Sequence, residues 1–170
     1  MAEEQRGEAS RDAVMTRIGQ VVMLHRGGDR DEARSRFAAL WEEIGEDGDP
    51  LHRCTLAHYM ADTQDDPADE LVWDVLALRA ADRLAETLAG ARPAGQGGSG
   101  HRRSLALRAF YPSLHLNLAA DYVKLGRHAA ARRELDRARE RSGGLAEDEY
   151  GDGVRAAIAR LELRLDEPTT

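Results

Sequence analysis

Apolar residues along this chain return every three or four positions and almost nowhere alternate, so the pattern predicts helices and no sheet. The first helix is expected over Asp12–His25, with Val14, Ile18, Val21 or Val22, and His25 on one stripe. Gly27 and Gly28 stop it. Asp29 is placed to cap a second helix, with Glu32 at the reciprocal capping-box position and Ala33, Phe37, Leu40 and Ile44 as the buried stripe. Asp49-Pro50 and Asp66-Pro67 are start signals, because Asp accepts orphan amide bonds and Pro at the first helical position forfeits none. They open a third helix from Pro50 to about Asp62 and a fourth from Pro67 to about Leu88. The fourth carries two stripes: Leu71, Val75, Leu78 and Ala85 on one side, and Trp73, Leu76, Ala80 and Leu84 on another. A helix with a single neighbour needs only one stripe. This one is therefore expected between two neighbours.

Ala91 to Gly100 reads as a Gly-rich loop. A short helix is expected within residues 102–110, and Pro112 opens a further one that ends at Leu125-Gly126. The next runs from Arg127 to about Arg141, with Ala131, Leu135 and Ala138 on one face, and Ser142-Gly143-Gly144 breaks it. A last helix reaches Leu165 on the stripe Val154, Ile158, Leu161 and Leu165. Residues 1–10 are expected to form a disordered tail and residues 166–170 to fray. The 170 residues suit one domain, over 11–165.

Composition narrows the chemistry. Aromatics at 5% are too few to fill a sandwich or barrel core, and a single Cys excludes an internal disulfide or a thiolate-rich zinc site. No apolar run is long enough to span a bilayer, and the first ten residues lack the apolar segment of a signal peptide, so a cytoplasmic protein without a membrane partner is expected. The net charge of −7 is uneven: residues 1–90 hold 10 basic and 20 acidic side chains, and residues 91–142 hold 11 and 4. The two regions could mate in a homodimer or face different partners. The overall acidity, and a basic helix without interleaved aromatics, argue against nucleic acid as a partner.

One segment, LAADYVKLGRHAAARRELDRA, has a repeat logic. Ala119 lets two helices approach, Tyr122 fills the space near the turn, Gly126 tolerates the turn backbone, and Ala131 sits at the crossing, with Leu118, Leu135 and Ala138 beside them. Two weaker copies run through Val21, Leu24, Gly28, Ala33, Phe37 and Leu40, and through Leu56, Tyr59, Thr63, Ala68, Val72 and Val75. The segment resembles the tetratricopeptide repeat family. The resemblance implies an all-α fold of antiparallel helix pairs stacked as a short right-handed solenoid. Its units fall near 12–45, 50–90 and 112–142, with loop 91–100 and a capping helix over 147–165.

It also implies a non-catalytic adaptor that binds a peptide, a partner protein or a second copy of itself. The groove-facing positions carried over are Met15, Val22 and Arg26 in the first unit, Arg53, Ala57 and Met60 in the second, and Ser113, Leu116, Ala120 and Lys124 in the third. Asn117, one position along, would bond a ligand backbone.

Other chemistry competes with that reading. Cys54, His58 and Asp62 recur every four positions on the third helix and all can ligate a metal, yet together they span roughly 12 Å of helical rise. Cys54 and His58 also have the residue types of a nucleophile and base, without an oxyanion turn. Glu42, Glu43, Glu46 and Asp47 could meet the acids of Asp62–Glu70 around a divalent cation, without the order of a calcium loop. GQGGSGHRR lacks the ending of a phosphate loop, leaving a loose anion contact through His101, Arg102 and Arg103. The balance is an adaptor with no catalysis, cofactor or resident metal. The alternatives are a metal-responsive or enzymatic module built on Cys54, His58 and nearby carboxylates, and a regulatory subunit touching nucleic acid.

Overall fold

The Asp-Pro signals act as their chemistry requires. Asp49 Oδ1 accepts from the Leu51 amide at 2.9 Å, and Asp66 Oδ1 from the Ala68 amide at 2.7 Å. In the computed structural model, which describes residues 2–90 and 98–167, they open two of seven α-helices. These are α1 (Ala2–Arg26), α2 (Arg30–Ile44), α3 (Pro50–Ala61), α4 (Pro67–Gly90), α5 (Ser99–Lys124), α6 (His128–Arg141) and α7 (Glu149–Asp166), with a 3-10 turn at Ser142–Gly144. The described residues form an all-α fold, and none of its helices is long and apolar enough to cross a membrane.

Each helix packs on the next in sequence, while α1 also reaches α3 and α5 also reaches α7. Three apolar clusters follow from that order. Ile18, Val21, Val22, Ala33, Phe37, Leu40, Leu56 and Met60 join α1, α2 and α3. Small residues on α3 and α4 (Cys54, Ala57, Ala77, Ala80 and Ala81) meet Leu107, Tyr111 and Leu114 of α5. Ala119, Ala131, Leu135 and Ala138 pack with Val154, Ile158, Leu161 and Leu165 of α7. As its two stripes predict, α4 lies between α3 and α5.

Several expectations are corrected. Helix α1 already starts at Ala2, through the segment expected to be a disordered tail, because its Ala, Glu, Gln and Arg are strong helix formers with no Pro among them. Asp29 makes no side-chain cap bond, and Glu32 pairs instead with Arg36 at 2.7 Å, one turn on. The loop expected over 91–100 lies outside the described residues at 91–97, and Ser99 already belongs to α5. Of the tail expected to fray, Asp166 is the last residue of α7 and pairs with Arg132 at 2.9 Å, while 168–170 lie outside the described residues.

The largest correction concerns Pro112, which lies inside α5 rather than at its start. Proline has no N–H to donate to the carbonyl four residues back, that of Arg108. Two features accompany the proline. Ser113 Oγ donates to the Phe110 carbonyl at 2.8 Å, and Gly144 of the 3-10 turn lies against the Arg108 carbonyl so closely that a Cβ there would stand 2.7 Å from its oxygen. Gly126, at φ 68°, supplies the left-handed residue that turns α5 into α6.

Gly144→Ala should therefore cost about 1–3 kcal/mol in chemical denaturation. Gly143→Ala, with nothing within 4 Å of its Cβ, should stay close to wild type. Equal stability of all three proteins would remove the Gly144 contact from the account.

Candidate functional site

Helical spacing assembles a polar knot where α3, α4 and α5 meet. Glu70 and Asp74 are four apart on α4, and Asn117, Asp121 and Lys124 are four and three apart on α5, so each set shares a face. One ligand oxygen from each of Glu70, Asp74 and Asp121 lies within 4.8 Å of the others. Asp74 is fully buried and Asp121 is 1% exposed. Asp74 Oδ2 and both Asp121 oxygens receive no hydrogen bond from an N–H or hydroxyl donor, and the two carboxyls stand close enough to share the proton that Asp121 retains. Native proteins rarely leave buried carboxylate oxygens in that state, since each uncompensated group costs kilocalories.

The surroundings partly compensate. Asn117 Nδ2 donates to Asp74 Oδ1 at 3.4 Å and lies 3.3 Å from His58 Nδ1. His58 Nδ1 is 3.9 Å from Asp74 Oδ1. Lys124 Nζ donates to both Glu70 oxygens at 2.6 Å and lies 3.6 Å from Asp121 Oδ1. Burial, then the neighbouring Asp74 and Glu70 charges, push the Asp121 carboxyl far above the ordinary carboxylate range, against the pull of Lys124. Burial alone would lower the Lys124 ammonium, but Glu70 and Asp121 more than offset it, so it stays charged. Three ionised carboxylates against one ammonium would leave two negative charges in a desolvated space.

The residues singled out in the sequence scatter around this knot. Cys54, His58 and Asp62 do not converge on one point. Cys54 is fully buried in the α3–α4 core, and burial followed by the Asp74 and Asp82 charges pushes its thiol up to about 12. At neutral pH it is a protonated thiol, neither nucleophile nor ready ligand. His58 does join the knot, while Asp62 is an exposed residue closing α3. Of the groove positions, Asn117 and Lys124 are in the knot. Ala57, Met60 and Ser113 are buried in packing and present no surface, with Ser113 Oγ also accepting from Tyr150 at 2.9 Å. Leu116 and Ala120 pack toward α6 and α7. Arg53 lies 3.8 Å over the Trp41 ring and donates to the Gly45 carbonyl. Met15, Val22 and Arg26 do share one surface groove, with Ile18, Met23, Thr55 and Tyr59.

Asp74 and Asp121 were missed as site residues. Their only sequence signal is an acid set among apolar neighbours, as in Leu71–Leu78 and Ala119–Val123, where a solvated face would not be. Among the other described residues, the nearest analogue is His115, whose Nδ1 is 2.8 Å from Glu134, itself paired with Arg137 at 2.6 Å. Burial would raise the Glu134 carboxyl, but the His115 bond and Arg137 hold it below its ordinary value. That arrangement is neutralised from both sides, whereas the Asp74–Asp121 one is not. No family model, curated protein or solved structure matches this chain.

A raised folded-state value means the native protein retains a proton that the unfolded chain has lost. The associated stability is present at low pH and disappears as pH rises toward the folded value. Asp121→Asn, an uncharged isostere, should raise neutral-pH stability by about 1–3 kcal/mol. It should also flatten the decline between mildly acidic and alkaline pH. Unchanged thermal melts across that range would contradict the charge strain described.

Proposed function

We propose that this chain is a metal-responsive helical module that binds one hard divalent cation at Glu70, Asp74 and Asp121. The observation that carries the reading is the convergence of two buried carboxylates, whose oxygens receive no N–H or hydroxyl donor, with a third carboxylate within a few ångströms. Oxygen ligands of that kind suit Mg²⁺, Mn²⁺ or Ca²⁺. One oxygen from each carboxylate lies within 4.8 Å of the others, close enough for the three to share one ion. His58 and the Asn117 amide stand beside the carboxylates as further donors, which favours Mn²⁺ as the probe. The reading is one of binding and response, and attaches no reaction to the site.

The packing of each helix on its sequence neighbours supports the finer proposal of a tetratricopeptide-like solenoid, since such arrays make mainly nearest-neighbour contacts. In that architecture the knot ties the middle helices, so an ion there would stiffen the centre of the array.

Chelator-treated protein should bind one Mn²⁺ per chain in a calorimetric titration. Mn²⁺ at about a hundred times its Kd should add about 2.7 kcal/mol of stability. Asp121→Asn and Asp74→Asn should fold, melt no lower than wild type without metal, and lose both the binding and the added stability. Absence of saturable Mn²⁺, Mg²⁺ and Ca²⁺ binding by the wild type would end this reading.

A second reading, an adaptor for a protein or peptide, is favoured by the groove that gathers Met15, Val22 and Arg26, with Met23 67% exposed beside it. A partner captured by wild type from its native lysate should be lost with a folded Met15→Glu, Met23→Glu double variant. Equal capture by both would turn attention away from that face.

A further inference from the structure

We propose that Lys124 is a tethered competitor of the divalent ion, closing the site with its own ammonium and swinging into solvent when the ion enters. The inference rests on the divalent-cation reading and adds a mechanism of control to it. Lys124 takes both Glu70 oxygens at 2.6 Å, so that carboxylate cannot serve a metal while the ammonium stays. A cation holding Glu70 from the Asp121 side would bring two positive charges within a few ångströms of each other, in a space walled by α4 and α5.

The accessibilities give the direction of movement. Asp74 and Asp121 are sealed, the Glu70 side chain is 20% exposed, and the Lys124 side chain is 42% exposed. The route in therefore passes Glu70 and Lys124. Lys124 is also the last residue of α5, just before the Gly126 turn, and its flexible stem can turn outward while the helix stays in place. The Asp121 carbonyl, by contrast, accepts from the Leu125 amide at 3.0 Å, which fixes the ligand-bearing turn. Asp121 Oδ1, 3.6 Å from the ammonium, and Asp74 Oδ2 receive no N–H or hydroxyl hydrogen bond on residues at least nine-tenths buried, and they mark where the ion goes once the ammonium leaves.

Lys124 is the only lysine in the chain, so its side chain can be followed without ambiguity. Acylation of Lys124 by an N-hydroxysuccinimide acetate reagent, read by peptide mass spectrometry, should speed up at least threefold when Mn²⁺ saturates the wild type. It should not respond to Mn²⁺ in Asp121→Asn. Lys124→Met and Lys124→Gln should bind Mn²⁺ at least tenfold more tightly than wild type, while Lys124→Arg keeps the ammonium-like charge and stays near wild type. Tighter binding by either folded neutral variant, with faster labelling of the wild type, supports the competitor. Wild-type binding with unchanged or slower labelling, or with unchanged or weaker affinity in the neutral variants, overturns the competitor and leaves the metal site standing. If the wild type binds no Mn²⁺, the site and the competitor fall together.

Discussion

Asp74 and Asp121 face one another inside the crossing of α4 and α5, and the middle of the molecule is organised around their charge. Buried acids need opposite charge, hydrogen-bond donors or a shared proton. Each neighbouring element contributes toward that need. Helix α3 brings His58, α5 brings Asn117 and Lys124, and the first turn of α4 brings Glu70, which holds Lys124 in position. The resulting polar interior abuts Cys54, Ala57, Ala77 and Ala81, whose small side chains let α3 and α4 approach closely. Close approach and buried charge are thus two sides of the same packing choice.

Helix α5 links that interior to the far end of the fold. Its first half packs through Leu107, Tyr111 and Leu114 into the α3–α4 cluster, and its second half through Ala119 into the α6–α7 cluster. A break at Pro112 would have cut the molecule between those clusters. The helix runs on through the proline, with the Ser113 hydroxyl on the Phe110 carbonyl and Gly144 against the Arg108 carbonyl. Tyr111 adds a lateral fastening, its hydroxyl donating to Asp82 at 2.7 Å while Arg141 lies 4.3 Å over its ring. A displacement at the carboxylates therefore reaches both clusters through one rigid element.

Much of this was legible in the sequence, and the reasons are local. The stripe of Ala33, Phe37 and Leu40, the Asp-Pro starts and the Gly126 turn each depend on a few adjacent residues, and they fall where periodicity put them. Pro112 was misread because its usual role at a helix start is also local, whereas the carbonyl it leaves without an amide is packed here by Gly144, more than thirty residues away. The polar knot was harder still. Asp74 and Asp121 are 47 positions apart, and only tertiary packing makes them neighbours. His58 was visible as unusual, but its visible companions, Cys54 and Asp62, were the wrong ones, because side chains on one helix share a face without sharing a point.

Cys54 has a consequence of its own. A lone thiol, held protonated and sealed between α3 and α4, is shielded from oxidants and alkylating reagents as long as the helices stay together. Its modification can proceed only through openings of the central layer. The chain thus carries a native clock for its own breathing, whose rate counts excursions of the helices that enclose the carboxylates rather than fraying of the ends.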